Sequence, residues 1–164
     1  MKIGIGADHA GFNRKTEIIE YLTKKGYDVV DFGAHSVDRV DYPDYAKTVS
    51  EAVVKKEVEV GLLVCGTGIG MSIAANKVKG IRAAHVFDEL TARLAREHNH
   101  ANVIAFGGRN QTTSESKIIV DAYLNAIISA KKSSLFKSYT FTYISKALAI
   151  LATCIPIRPP PIIP

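Results

Sequence analysis

Between Val58 and Lys77 the chain reads Val-Glu-Val-Gly-Leu-Leu-Val-Cys-Gly-Thr-Gly-Ile-Gly-Met-Ser-Ile-Ala-Ala-Asn-Lys. The apolar run Val60 to Val64 is long enough for a buried strand and too short for a helix. It stops at Cys65, after which Gly66, Gly68 and Gly70 alternate with Thr67 and Ile69; from Met71 helix-forming residues return. This pattern predicts a strand, a glycine loop and a helix, with a thiol at the strand's carboxyl end. Ligands of open α/β sheets gather at that edge. Glycines let a backbone approach a ligand, and the first N–H groups of the following helix have no acceptor of their own.

The loop matches neither common nucleotide motif. A P-loop ends in Gly-Lys-Ser/Thr, whereas Gly70 is followed by Met71; the dinucleotide fingerprint is Gly-x-Gly-x-x-Gly, whereas the spacing here is Gly-x-Gly-x-Gly. Taken alone, the stretch fits two readings equally. One is an anion-accepting backbone beside a cysteine, and the other is a tight turn after a strand that ends in a core thiol.

The same alternation extends along the chain. Ile3 to Ala7 is a strand ending in Asp8-His9-Ala10-Gly11, and Asn13 to Lys25 is a helix with Ile18, Ile19 and Leu22 inward and Gly26 as its stop. Tyr27 to Phe32 is a second strand. A polar loop leads to Asp41-Tyr42-Pro43-Asp44-Tyr45, where Asp41 can cap and Pro43 can open a helix whose Tyr45, Val49, Ala52 and Val53 share one face. Gly80 to Val86 is a fourth strand, and Asp88 caps a helix whose inner face carries Leu90, Leu94 and His98. Asn102 to Phe106 is a fifth strand ending at Gly107-Gly108-Arg109, and Thr112-x-x-Glu115 is a capping box for a helix to about Ala126. Strands alternating with helices across short loops imply a three-layer α/β/α domain on a parallel sheet.

Composition narrows the function classes. A chain of 164 residues can build a core without disulfides or metal, and two cysteines, Cys65 and Cys154, form no disulfide framework and no zinc spacing. The histidines show no metal-ligating pattern, so no metal is expected, and no flavin or nicotinamide motif calls for a cofactor. A reducing, cytoplasmic setting follows from the thiols, and the N-terminus enters a strand without a signal peptide. The net charge of +5 is confined to the end of the chain: after Asp121 come Lys131, Lys132, Lys137, Lys146 and Arg158 and no acid. Removing those five from the 21 cations leaves 16 against 16 acids over residues 1–121, which gives no nucleic-acid-binding face. Residues 1–128 are therefore expected to form the domain, with 129–164 as an atypical apolar and proline-rich tail. Residues 139–157 approach transmembrane length but contain Lys146 and several hydroxyl residues. A helix packed on the body or on a second subunit fits them better than a membrane span.

Four strand ends thus offer Asp8-His9, Cys65 to Gly70, His85, and Gly107-Gly108-Arg109; the helix between the last two ends in His98-Asn99. A base, an acid, an oxyanion-stabilising loop and cations for a phosphate suit proton transfer beside a carbonyl. His85 and His100 are read as structural or exposed rather than catalytic. His35 has no role, and Tyr42 and Asp44 shape a helix start and line the pocket wall.

Residues 6–12, 41–46, 65–77, 80–84, 96–99 and 102–109, taken together and in order, resemble the type B ribose-5-phosphate isomerase family, which is related to galactose- and allose-6-phosphate isomerases. The resemblance covers residues 1 to about 127. It implies a Rossmann-like five-stranded parallel sheet and a homodimer or dimer of dimers, with active sites built from both subunits. It implies an aldose–ketose isomerase interconverting ribose 5-phosphate and ribulose 5-phosphate without a cofactor. Cys65 would be the base that moves a proton between C1 and C2. The amides of Gly66, Thr67, Gly68, Ile69 and Gly70 would hold the enediolate oxygen, with Thr67 assisting proton movement between oxygens. His98 would open the furanose ring, Asp8 and Asn99 would hold sugar hydroxyls, and His9 and Arg109 would face the phosphate. The family's usual Gly-Gly-Arg-His-x-x-Arg after the last helix is replaced here by 129–137, with Lys132 at the first arginine position and Phe136, beside Lys137, at the second. Lysine is a point charge without the bidentate fork, and Lys132 or Lys137 is expected to substitute in part. A hexose-6-phosphate isomerase and a catalytically silent sugar-phosphate-binding protein remain as alternatives.

Overall fold

The computed structural model describes residues 1–127. Five strands alternate with five helices in chain order: β1 (Lys2–Ala7), α1 (Phe12–Lys24), β2 (Asp28–Asp31), α2 (Tyr42–Val54), β3 (Val60–Cys65), α3 (Ile69–Ala75), β4 (Ala83–His85), α4 (Glu89–Glu97), β5 (Val103–Gly107) and α5 (Thr113–Asn125). All strand pairings are parallel, and the order across the sheet is β2-β1-β3-β5-β4. The predicted fold class, a Rossmann-like α/β/α domain on a five-stranded parallel sheet, is the one observed.

Every residue of β3 is buried, because helices cover both faces of the sheet. On one face Ile18 and Leu22 of α1, Ala92 and Ala95 of α4, and Ile119, Val120 and Tyr123 of α5 pack on Ile5, Leu62, Val64 and Ile104. On the other, Ala46, Val49 and Val53 of α2 and Met71 and Ala75 of α3 pack on Leu63, Val103 and Ala105. The chain leaves β1 for β2 on one side and crosses back to β3 on the other. The sheet's switch point therefore lies between β1 and β3, where a ligand crevice forms at the carboxyl ends of the strands.

Two local expectations are corrected. Leu90 does not face inward: it is 53% exposed, Leu94 is half-buried and His98 is exposed, while Ala92 and Ala95 carry the buried face of α4. The small residues let α4 lie close to the sheet and to α5, which the larger leucines would hold off. The fourth strand is also shorter than its apolar run, because residues 78–81 form a turn, with Ile81 N–H bonded to Val78 O at 3.1 Å and Gly80 at φ +93. The cap at Asp88 and the capping box at Thr112 form as read, and Asp88 goes further, closing a capping box with Thr91. Asp41 occupies the N-cap position of α2, but its side chain makes no capping bond.

Among the described residues no helix is long and apolar enough to cross a membrane. The expectations placed on the tail at 129–164, on Lys132 and on Lys137 lie outside the described residues.

Candidate active site

Three loops meet at the carboxyl edge of β1, β3 and β5, and their backbones hold one another. Asp8 N–H donates to Val64 O at 3.2 Å, Gly108 N–H to Cys65 O at 2.7 Å, and Arg109 N–H to Gly66 O at 3.1 Å. The closeness needs glycine at two points. A Cβ on Gly11 would stand 2.4 Å from Val64 O, and one on Gly108 would stand 3.0 Å from Ala10 O.

Cys65 ends β3 and is 6% exposed. Its Sγ accepts a hydrogen bond from Gly68 N–H at 3.1 Å. Gly68 is the N-cap of α3 at φ +85, the left-handed region that glycine enters freely. That turn sets the Gly68 N–H on the Cys65 sulfur, while Ile69 N–H turns to Thr67 Oγ1. The Thr67 hydroxyl is exposed and accepts from Ile69 N–H at 3.4 Å. The ring of Tyr42 lies on Gly70, where an added Cβ would meet it at 3.0 Å.

At the neighbouring strand end, Asp8 Oδ1 accepts from Ala10 N–H and Gly11 N–H, both at 2.9 Å. This fixes the carboxylate and leaves Oδ2 without a hydrogen bond among the described residues. His9 Nδ1 lies 3.2 Å from Val40 O and 3.3 Å from Val40 N, which holds the ring by that nitrogen. Arg109 crosses Gly66, whose built Cβ would meet Arg109 Cδ and Nη1 at 3.5 and 3.6 Å. Thus Asp8, His9, Gly66, Thr67, Gly68, Ile69, Gly70, Cys65 and Arg109 share one edge.

His98 and Asn99 do not share it within this chain. α4 runs back from the end of β4, so its C-cap His98 reaches the amino edge of the sheet. There Arg82 Nε, just ahead of β4, donates to Asn99 O at 2.7 Å. A strand of six residues, roughly 20 Å, separates the two edges.

Sequence reasoning left other residues of this region without a role. His85 Nε2 is 2.9 Å from Thr67 O, and Gln111, which is buried, accepts from Gly107 N–H at 3.0 Å through Oε1. The first contact joins segments brought together by the strand order, so no local pattern signals it, whereas the second closes the loop after β5 over four residues.

A sequence model of the family described as Ribose/Galactose Isomerase matches residues 3–135. The chain belongs to that family. It is 50% identical over 125 residues to ribose-5-phosphate isomerase B of Escherichia coli, spanning 76% of this chain and 84% of that protein. It is 47% identical over 126 residues to the galactose-6-phosphate isomerase subunit LacB of Clostridium acetobutylicum, spanning 77% and 73%. The crystal structure of ribose-5-phosphate isomerase B from Mycoplasma genitalium with bound ribulose-5-phosphate superposes with a TM-score of 0.82 at 41% identity, covering 88% of this chain and 96% of that one.

Proposed function

We propose that the domain of residues 1–128 is an aldose–ketose isomerase that interconverts ribose 5-phosphate and ribulose 5-phosphate. The observation that carries this reading is the Cys65 sulfur, set at the end of β3 with the Gly68 N–H on it. The relatives named ribose-5-phosphate isomerase B and the ribulose-5-phosphate bound to one of them support the substrate.

In this reading the Cys65 thiolate takes the hydrogen from C2 of the open-chain aldose, and negative charge passes to O1. The loop amides of Gly66 to Gly70 other than that of Gly68, which is on the sulfur, stabilise that oxygen, and losing one such donor typically costs roughly 3–4 kcal/mol. The thiol then returns the proton to C1 while O2 passes its hydrogen to O1, assisted by the Thr67 hydroxyl. Substrate and product are isomers, so no oxidant or reductant enters the balance. Asp8 Oδ2 accepts from a sugar hydroxyl, and Arg109, His9 Nε2 and Lys132 meet the phosphate.

Because His98 and Asn99 sit at the far edge of their own chain, they serve this chemistry from a second copy. A homodimer, or a pair of such dimers, completes each site with His98 opening the furanose ring and Asn99 holding a hydroxyl. A catalytic free thiol also suits a reducing cytoplasm.

The relative named as a galactose-6-phosphate isomerase subunit supports a second reading, in which a hexose 6-phosphate is the substrate. Assays of wild type and Cys65→Ala on ribose, allose and galactose 6- or 5-phosphates separate the possibilities. Turnover of ribose 5-phosphate above that of the hexose phosphates, lost in Cys65→Ala with binding retained, is the expected result. Faster hexose phosphate turnover favours the second reading, and binding without turnover in wild type overturns both.

A further inference from the structure

His85 ends β4, where its backbone is fixed by pairing with Ala105 and by the bond from Val86 N–H to Ala105 O at 3.0 Å. Its exposed ring leans over the glycine loop, with Nε2 2.9 Å from Thr67 O and Cδ2 at 2.9 Å from where a Cβ of Gly68 would stand. The same Cβ would meet Phe106 Cα at 2.8 Å, so Gly68 sits close against both this imidazole and the backbone of β5. A carbonyl oxygen only accepts, so Nε2 carries the hydrogen. The Thr67 carbonyl and the Gly68 N–H belong to one planar peptide group. That same N–H donates to the Cys65 sulfur at 3.1 Å. His85, one peptide plane and the thiol therefore stand in series: Nε2–H to O=C, then N–H to Sγ.

We propose that His85 is a positioning residue for Cys65, holding the Thr67–Gly68 peptide in one orientation and polarising it so that its N–H stabilises the thiolate. Hydrogen bonds in series strengthen one another, and a donor on the carbonyl draws electron density from the amide hydrogen. The left-handed Gly68 has a second need for such a brace. With no side chain to hinder rotation, the peptide ahead of it is free to turn its N–H away from sulfur unless its carbonyl is held. The role of the thiolate as base rests on the isomerase reading above; the effect of His85 on the thiolate does not.

The test uses the full chain carrying Cys154→Ser, which leaves Cys65 as its sole thiol. His85→Leu keeps apolar bulk near Gly68 and removes the donor, whereas His85→Gln restores an N–H close to the Nε2 position. The ultraviolet absorbance of the thiolate at neutral pH, referenced to Cys65→Ala, is read beside kcat and KM for ribose 5-phosphate. His85→Leu should lower the thiolate signal and kcat together by roughly two- to threefold, with KM and melting temperature unchanged. His85→Gln should recover most of both. A wild-type thiolate signal in His85→Leu, or a His85→Gln variant no better than His85→Leu, overturns the proposal. If the parent protein turns over no sugar phosphate, the isomerase reading falls, and the thiolate comparison still decides what His85 does.

Discussion

Lys15, only 1% exposed, places Nζ 2.5 and 2.7 Å from the two carboxylate oxygens of Asp31. Asp31 ends β2 and is 35% exposed, and its Oδ1 also accepts from Gly33 N–H at 2.9 Å. From there Gly33 and Ala34 bond to Ala7, so the pair anchors the loop that leads on to Val40 and the His9 ring. The partners differ in burial, which makes their removal unequal. Asp31→Ala strands an ammonium group in the apolar interior and should destabilise by about 3–5 kcal/mol. Lys15→Met leaves a carboxylate that water reaches and should cost less, on the order of 1–2 kcal/mol. Urea unfolding of both variants checks the order; an equal or larger loss in Lys15→Met contradicts this account of the pair.

Gly68 and Gly26 share a φ of +85 in different surroundings. Nothing lies within 4 Å of a Cβ built on Gly26, whereas one on Gly68 would stand 2.8 Å from Phe106 Cα in the sheet's interior. Gly26→Ala therefore meets only the left-handed strain of about 1–2 kcal/mol and should keep full activity. Gly68→Ala adds a clash with backbone that cannot withdraw. It should melt well below Gly26→Ala and lose most of its kcat as the Gly68 N–H leaves the sulfur. Melting curves and turnover for the two alanine variants provide the comparison, and similar losses in both would refute it.

The contrast between those positions mirrors what was legible in the sequence. Strand ends were readable because apolar runs such as Val60 to Val64 stop abruptly at polar or glycine residues, and helix starts because Asp88 and Thr112 carry their caps in the local pattern. The glycine loop between strand and helix was readable, but which of its glycines turns left-handed was not. Contacts set by strand order were not readable: His85 meets Thr67 only because β5 lies between β3 and β4, and Lys15 meets Asp31 only because β2 pairs with β1. A lysine in an α1 sequence of many polar residues gives no sign that it is buried. On α4 hydrophobicity pointed to Leu90, but the depth of packing was decided by size, and Ala92 and Ala95 took the interior. The pattern that grouped His98 and Asn99 with the strand ends did not show that α4 carries them to the opposite edge of their own chain.

Arg109 lies across Gly66 at the mouth of the loop, and in the proposed reaction it meets the phosphate rather than the reacting carbons. Its removal should act on binding. Arg109→Ala is expected to raise KM for ribose 5-phosphate roughly tenfold or more, with a smaller change in kcat. Lys132→Ala should raise KM several-fold, since a lysine gives a point charge where an arginine would give two bonds. Steady-state kinetics of both variants decide the matter: an unchanged KM in Lys132→Ala rejects that residue as a phosphate contact.

Asp88 accepts at Oδ1 from the Thr91 hydroxyl at 2.6 Å and from Thr91 N–H at 2.7 Å, while Asp88 N–H donates back to Thr91 Oγ1 at 3.2 Å. The hydroxyl first, and then the amide, hold the Asp88 carboxyl below its usual range. An aspartate in the unfolded chain titrates at about 3.9. A carboxyl depressed in the folded state contributes its full stability above that value and loses it as pH falls through the folded one. Asp88→Ala should therefore melt below wild type by a constant margin near neutrality, and the margin should narrow below about pH 4. Asp88→Asn keeps a good N-cap that does not titrate, so its advantage over Asp88→Ala should persist through the same range. Glu115, held low by the Thr112 amide and hydroxyl, acts in the same sense at α5. Melting temperatures across the acid range for the two Asp88 variants isolate the first cap from the second, because Glu115 is common to both. A margin between wild type and Asp88→Ala that stays constant to the lowest pH at which the protein folds would mean that the charge on Asp88 contributes nothing to the cap.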